Sequence, residues 1–89
     1  MLERIRLSLR IYHNALDSDI QGNIDACMFD LIRVGVSKTK AVSTSTDALI
    51  YKAAEWYCKW QYDFGGKGEK YKVAYENLRD ALSLSEDYI

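Results

Sequence analysis

Apolar residues recur along this chain at spacings of three and four, in four separate runs. Leu2, Ile5, Leu9 and Tyr12 form the first, with Arg4, Arg6 and Arg10 mostly off that line, and they predict a short amphipathic helix over about Leu2–Tyr12. Leu7 and Ile11 fall outside the stripe, which points to cover on a second side, for instance by a neighbouring subunit. After a break at His13-Asn14-Ala15, Asp17 is expected to cap a second helix, its carboxylate accepting from the free N–H groups of the first turn while Asp19 adds negative charge at the positive end of the dipole. Ile20, Ile24, Cys27, Met28, Leu31 and Val34 then share one stripe, with Asp25, Asp30 and Arg33 on the polar face. Gly35 suits a left-handed C′ position, and Val36 is placed to return onto Leu31 in a Schellman ending. Gly22, inside this helix, costs about 1 kcal/mol relative to Ala. It fits either a close helix crossing or a tolerated surface position.

Residues Ser37–Thr46 carry no helical stripe and are rich in β-branched and hydroxyl residues, so they form the one long connection. Asp47 is expected to cap a third helix over about Ala48–Phe64. Leu49, Ile50, Ala53, Tyr57, Trp60 and Phe64 line one side of it, and Lys52, Glu55, Lys59 and Asp63 line another, with Glu55 and Lys59 in the favourable i, i+4 order. Trp56 lies between the two. An aromatic stripe at helical spacing reads first as core and only second as a ligand box. Gly65-Gly66-Lys67-Gly68 then breaks the chain, and a fourth helix over about Glu69–Leu82 turns Tyr71, Ala74, Tyr75, Leu78 and Leu82 inward, making an αα-hairpin with the third. The tail, Ser83-Leu84-Ser85-Glu86-Asp87-Tyr88-Ile89, loses periodicity yet ends on two apolar residues. The fold class is therefore all-α: a small bundle of four helices with a long loop between helices 2 and 3 and a C-terminal tail, read as a single domain over residues 1–89.

Composition sharpens this picture without changing it. A chain of 89 residues, 48% hydrophobic and lacking proline, has room for one small core and favours helices over turn-rich β structure. Twelve Lys and Arg against 13 Asp and Glu leave a formal net charge of −1, which provides no field of one sign to draw in nucleic acid or a membrane surface. Cys27 and Cys58 both fall at apolar helical positions and read as reduced core thiols. The N-terminus interleaves charged and apolar residues and does not resemble a signal peptide. Its uncharged runs are far shorter than the ~18 residues of a membrane span, so no membrane partner is expected.

Candidate chemistry is sparse. Gly65-Gly66-Lys67-Gly68 superficially resembles a phosphate loop but lacks the Ser or Thr after Lys and follows a helix where such loops follow a strand. His13 is the one histidine, with no Cys or carboxylate spacing around it that makes a metal site. Asp17 and Asp19 read better as helix-start residues than as an acid–base pair, and Ser43, Thr44, Ser45 and Thr46 have no local histidine base. The expectation is no catalytic residue, no cofactor and no metal.

Charge is instead laid out in blocks. Residues 1–13 carry three Arg and one Glu, 14–36 four Asp and one Arg, 37–46 two Lys, and 83–89 Glu86 and Asp87. Such blocks are often ordinary solvated surface. They also suit heterologous contacts between copies, which close into rings when repeated about an axis. On that reading Arg4, Arg6 and Arg10 of one copy would face Asp25 and Asp30 of the next. A rival reading is a small helical DNA-binding regulator, since short helices joined by glycine turns can form helix-turn-helix units; the balanced charge and the lack of a basic recognition helix weigh against it.

The order of motifs along the chain resembles one family, the tailed-phage head–tail connector proteins, also called adaptor or head-completion proteins. Leu7-Ser8-Leu9-Arg10-Ile11 followed by Leu16-Asp17-Ser18-Asp19-Ile20-Gln21 is similar to that family's first helix and its "LDDEI" opening of the second. Asp30-Leu31-Ile32-Arg33-Val34-Gly35-Val36 is similar to its "DL…GI" helix ending, and Asp47-Ala48-Leu49-Ile50 to its "DPLI" start of the third helix, with Ala48 where proline is common. Tyr57-Cys58-Lys59 before Phe64-Gly65 resembles "YCKANFGY", and Tyr75-Glu76-Asn77-Leu78-Arg79-Asp80-Ala81-Leu82-Ser83-Leu84-Ser85 resembles "YDSLKTHLSLS". The resemblance implies a non-enzymatic neck protein of the virion, present in the host cytoplasm during assembly. Such proteins form a homo-oligomeric ring, commonly dodecameric, beneath the portal protein. The ring extends the channel through which DNA passes without sequence-specific binding, and it offers a platform to the next neck or tail protein. It further implies a portal-docking tail, here Leu84, Tyr88 and Ile89, while Lys38 and Lys40 in the long loop would face the channel or the tail-side partner.

Overall fold

A computed structural model describes all of residues 1–89. Its helices are α1 (Leu2–Ser8), α2 (Asp17–Arg33), α3 (Ala48–Gln61) and α4 (Gly68–Ser83), with a single 3₁₀ turn at Phe64–Gly66 and no strand. The all-α class, the four helices and the long α2–α3 connection are as the hydrophobic pattern predicts.

Four helix ends follow different rules. α2 closes as expected: Gly35 sits at φ 111°, the Val36 N–H donates to the Leu31 carbonyl at 3.0 Å, and the Gly35 N–H donates to that of Ile32 at 3.0 Å. The expected Asp47 cap also forms, its carboxylate accepting from the backbone N–H of Leu49 at 2.9 Å and Ile50 at 3.2 Å. α1, however, stops short of Tyr12. Arg10 turns left-handed at φ 59°, and the N–H groups of Arg10 and Ile11 close onto the carbonyls of Leu7 and Arg6, the same ending built without glycine. At the start of α2, Leu16 occupies the cap position, and the Asp17 carboxylate takes Arg6 of α1 at 3.2 Å instead of backbone N–H groups. Asp17 thus joins two helices and caps neither.

α3 is the central element. It packs along α4 on one side, meets α2 on another, and is crossed by α1. Being covered on several sides, it buries Ile50, Tyr51, Ala53, Ala54, Glu55 and Cys58, while Leu49 remains 44% exposed and Tyr57, Trp60 and Phe64 are only half-buried. The expected stripe is therefore rotated towards the small residues, because Ala53 and Ala54 let neighbouring helices approach. One core cluster unites Ile5 and Leu9 of α1, the Ile20, Ile24, Cys27, Met28 and Leu31 stripe of α2, Ile50, Tyr51, Ala53, Ala54 and Cys58 of α3, and Tyr75 and Leu82 of α4. Cys27 and Cys58 are free and buried within it. Burial drives both thiol pKa values up, that of Cys58 to about 12, with the charge of Asp19 adding to it.

Direction follows from two contacts. The Tyr62 hydroxyl, just past α3, donates to Asp19 in the first turn of α2, so α2 and α3 are antiparallel. Asp30, near the end of α2, meets Tyr75 at the middle of α4 and Arg79 one turn further on, and the turn at Asp63–Gly66 reverses α4 against α3. α2 and α4 thus run the same way.

The α3–α4 reversal uses Asp63, Gly65 and Gly66 at positive φ, and the Asp63 carboxylate accepts from the Gly68 N–H at 2.8 Å. A Cβ on Gly68 would lie 2.7 Å from that carboxylate oxygen and 3.2 Å from the Asp63 Cα and the Trp60 carbonyl. By contrast, Gly22 is exposed with nothing within 4 Å, so it marks no helix crossing inside the molecule. Thermal melts should accordingly show Gly68→Ala destabilising by about 1–3 kcal/mol through overpacking, and Gly22→Ala stabilising by roughly 0.5–1 kcal/mol through helix propensity. Equal effects at the two positions would contradict this geometry.

Candidate docking surfaces

Two carboxylates hold the interior together. Asp30 accepts from the Tyr75 hydroxyl at 2.6 Å, from Arg79 at 3.3 Å and from Arg33 at 2.7 and 3.0 Å, tying α2 to α4. Burial works to raise its pKa, but the hydrogen bonds from Tyr75, Arg33 and Arg79 outweigh it and leave the group below the usual carboxylate value. The Tyr75 phenol is pushed strongly upward by burial, by the Cys27 thiol and by Asp30, so it stays protonated and donates. Glu55, expected on a solvated face with Lys59, is instead 8% exposed and accepts from Ser8 at 2.7 Å, Tyr51 at 3.0 Å and Lys52 at 2.8 Å. The aromatic packing draws Lys59 the other way, over the Phe64 and Tyr71 rings at 4.9 and 5.5 Å. Burial again raises the Glu55 pKa, and the Lys52, Ser8 and Tyr51 hydrogen bonds more than reverse it.

The charged residues singled out for contacts between copies divide accordingly. Arg6 is held by Asp17, Asp30 by the α4 network, and the Arg4 guanidinium lies 3.9 Å from the centre of the Tyr51 ring. Arg10 is exposed, and so is Asp25, which accepts only from Gln21 one turn away.

The tail folds back on the chain. Tyr88 donates its hydroxyl to both oxygens of Asp47, at 3.0 and 2.9 Å, and its carbonyl accepts from the Ser37 N–H at 2.7 Å. Asp47 thereby serves two purposes, capping α3 and latching the tail. Burial raises its pKa, while Tyr88 and the Ile50 and Leu49 N–H groups bring it below the usual value. Leu84 and Ile89 stay 84% and 62% exposed. Within the long loop Lys38 is exposed, and Lys40 is exposed with its ammonium 5.8 Å from the Tyr88 ring centre.

One surface feature has no counterpart in the helical stripes. Phe29 is 73% exposed on α2 and forms a ridge between two open grooves. One, about 420 Å³, is lined chiefly by Met28, Ile32, Ala41 and Val42; the other, about 370 Å³, by Ala26, Arg33, Tyr57, Trp60 and Arg79. The signal that marks it is position: Phe29 falls on the Asp25–Arg33 side of α2, off the buried stripe. The first groove also carries Ser43 and Asp25, the latter accepting from Gln21, and the second carries Asp30, which is taken by Tyr75, Arg33 and Arg79; no three His, Cys, Asp or Glu side chains converge as a metal ligand set. No helix is long and apolar enough to cross a membrane.

In this small helical bundle Asp30, Glu55 and Tyr75 hold helices together, while the apolar Phe29, Leu84 and Ile89 face outward, an arrangement suited to contacts with other proteins. The family described as phage connector protein matches residues 1–89, and the chain belongs to that family. Searches of curated proteins and of solved structures gave no match. Family membership over the whole length makes this chain a structural component of the phage neck, located in the virion and in contact with other head and tail proteins. It leaves the DNA-binding regulator without support.

Proposed function

We propose that the chain is the subunit of a homo-oligomeric ring seated beneath the portal, which prolongs the DNA channel and presents a platform to the next neck or tail protein. The observation that carries this reading is the connector-family match over residues 1–89. A channel extension needs no reacting groups, only surfaces on several sides of each subunit.

The tail supports a division of labour. Tyr88 anchors the segment to Asp47, and the exposed Leu84 and Ile89 are the side chains available to grip the portal. Burying two such side chains contributes roughly 3–6 kcal/mol per subunit, before the cost of ordering the tail, and a ring multiplies it. Lys38 and Lys40 add positive charge in the loop beside the tail; repeated round a ring they would form a weak, sequence-independent contact with passing DNA.

Deleting the tail would also remove the Tyr88 latch, so point substitutions are the cleaner test. Leu84→Glu with Ile89→Glu should leave the melting temperature within a few degrees of the parent and lower portal affinity by at least about a hundredfold, measured by sedimentation or pull-down with the portal protein of the same phage. Unchanged affinity would remove the tail from the portal contact. Lys38→Ala with Lys40→Ala should reduce DNA retention in assembled heads, and unchanged retention would argue against a channel-facing loop.

A further inference from the structure

We propose that the outer face of α4 in one copy docks on the outer face of α2 in the next copy of this chain, forming the lateral contact of the ring; this rests on the ring reading above. Both helices turn their core stripes towards α3, which leaves their opposite faces bare. On α2 that face shows Gly22, Ala26, Phe29 and Arg33; on α4 it shows Lys70, Val73, Asn77 and Asp80, all exposed.

Direction and level come from the fold itself. α2 and α4 run the same way, so a rotation about an axis along the bundle sets α4 parallel to the neighbour's α2. The Asp30 bonds to Tyr75 and Arg79 fix their relative height, with residue 30 level with about residue 77. At equal height Val73, itself 51% exposed, meets Ala26 of the next copy, Asn77 meets the Phe29 ridge, and Asp80 meets Arg33. Along the helix axis Lys70 lies about one turn or less, roughly 5.4 Å, from the level of Asp25 and of Asp19, of which Asp25 is the one not bonded to another helix. The charge order of one helix face is thus the reverse of the other's. Small residues at Gly22 and Ala26 leave room for Val73, since nothing lies within 4 Å of a Cβ at Gly22.

Unlike faces make the contact heterologous, the kind that closes into a ring when the rotation permits. α1 is the weaker donor for the same α2 surface: it is seven residues long, with Arg4 on Tyr51 and Arg6 on Asp17, leaving Leu7 and Arg10. Arg33 and Asp80, the exposed members of the Arg33–Asp30 and Arg79–Asp80 pairs, can turn to the neighbour at little cost, while Asp30 and Arg79 keep each other.

Cysteine pairs test this directly, because Cys27 and Cys58 are buried and stay out of the reaction. Full-length chains carrying Ala26→Cys with Val73→Cys are mixed with the portal protein and oxidised gently with oxidised glutathione. The expected result is a ladder of disulfide-linked multimers on non-reducing gels, absent from either single variant, with parent-like melting for all three. A ring seen by native mass spectrometry without that ladder overturns the α4–α2 contact and leaves the ring intact, most tellingly if Ala26→Cys with Leu7→Cys gives the ladder instead. Absence of any ring, in the parent as well, overturns both readings.

Discussion

Replacing Asp30 by alanine is expected to destabilise the fold by about 2–3 kcal/mol and lower the melting temperature by roughly 10–20 °C. The substitution removes one carboxylate from three donors at once. It leaves the hydroxyl of Tyr75, a fully buried residue, without its acceptor, and frees the Arg79 guanidinium, whose side chain is only 19% exposed. Asp30→Asn should cost less, because the amide oxygen can still accept from Tyr75. Chemical denaturation of the three proteins measures this; a loss under 1 kcal/mol for Asp30→Ala would mean that α2 and α4 are held by packing alone.

The same carboxylates set the acid limit. Asp30, Glu55 and Asp47 all have folded-state pKa values below their usual ones. Groups of that kind add stability that is present above their unfolded values, about 3.9 for Asp and 4.3 for Glu, and lost as pH falls through the folded ones. Melting temperature should therefore be nearly flat from pH 7 to about 5 and fall below that, with a shallower acid slope in Asp30→Asn. A parent protein that gains stability on acidification would contradict the assignment.

Glu55→Ala is expected to cost about 2–3 kcal/mol and to do so locally. Glu55 is the polar link between α1 and α3, accepting from Ser8 of α1 while Tyr51 and Lys52 hold it from α3. Hydrogen exchange should show the amides of Ile5 to Leu9 losing protection well before those of the α3–α4 hairpin. Uniform loss throughout the chain would mean that α1 is not a separable unit.

These residues also show where sequence reading succeeds. The Asp47 cap, the Gly35 ending of α2 and the glycine turn before α4 are settled by side chains within a few positions, and local spacing is enough to place them. The tail latch shares a residue with one of those caps, yet the Tyr88–Asp47 bond spans 41 positions and no local pattern announces it. Glu55 has the spacing of a surface i, i+4 pair, and only the arrival of α1 makes it interior. Arg10 ends α1 in a left-handed conformation that the sequence usually marks with glycine. Among the candidate contact residues, Asp25, Arg10, Leu84 and Ile89 are exposed, whereas Arg6, Asp30 and Tyr88 are engaged within the chain. Phe29 carries no mark in the sequence, because a single apolar residue off a stripe is ordinary until neighbouring grooves show what surrounds it.

Native mass spectrometry of the full chain, alone and mixed with the portal protein of its phage, tests most directly whether this is a ring-forming connector. The result predicted is a closed multimer of one stoichiometry bound to the portal. A chain that stays monomeric at every ratio, or decorates the portal as single copies in variable number, would contradict it.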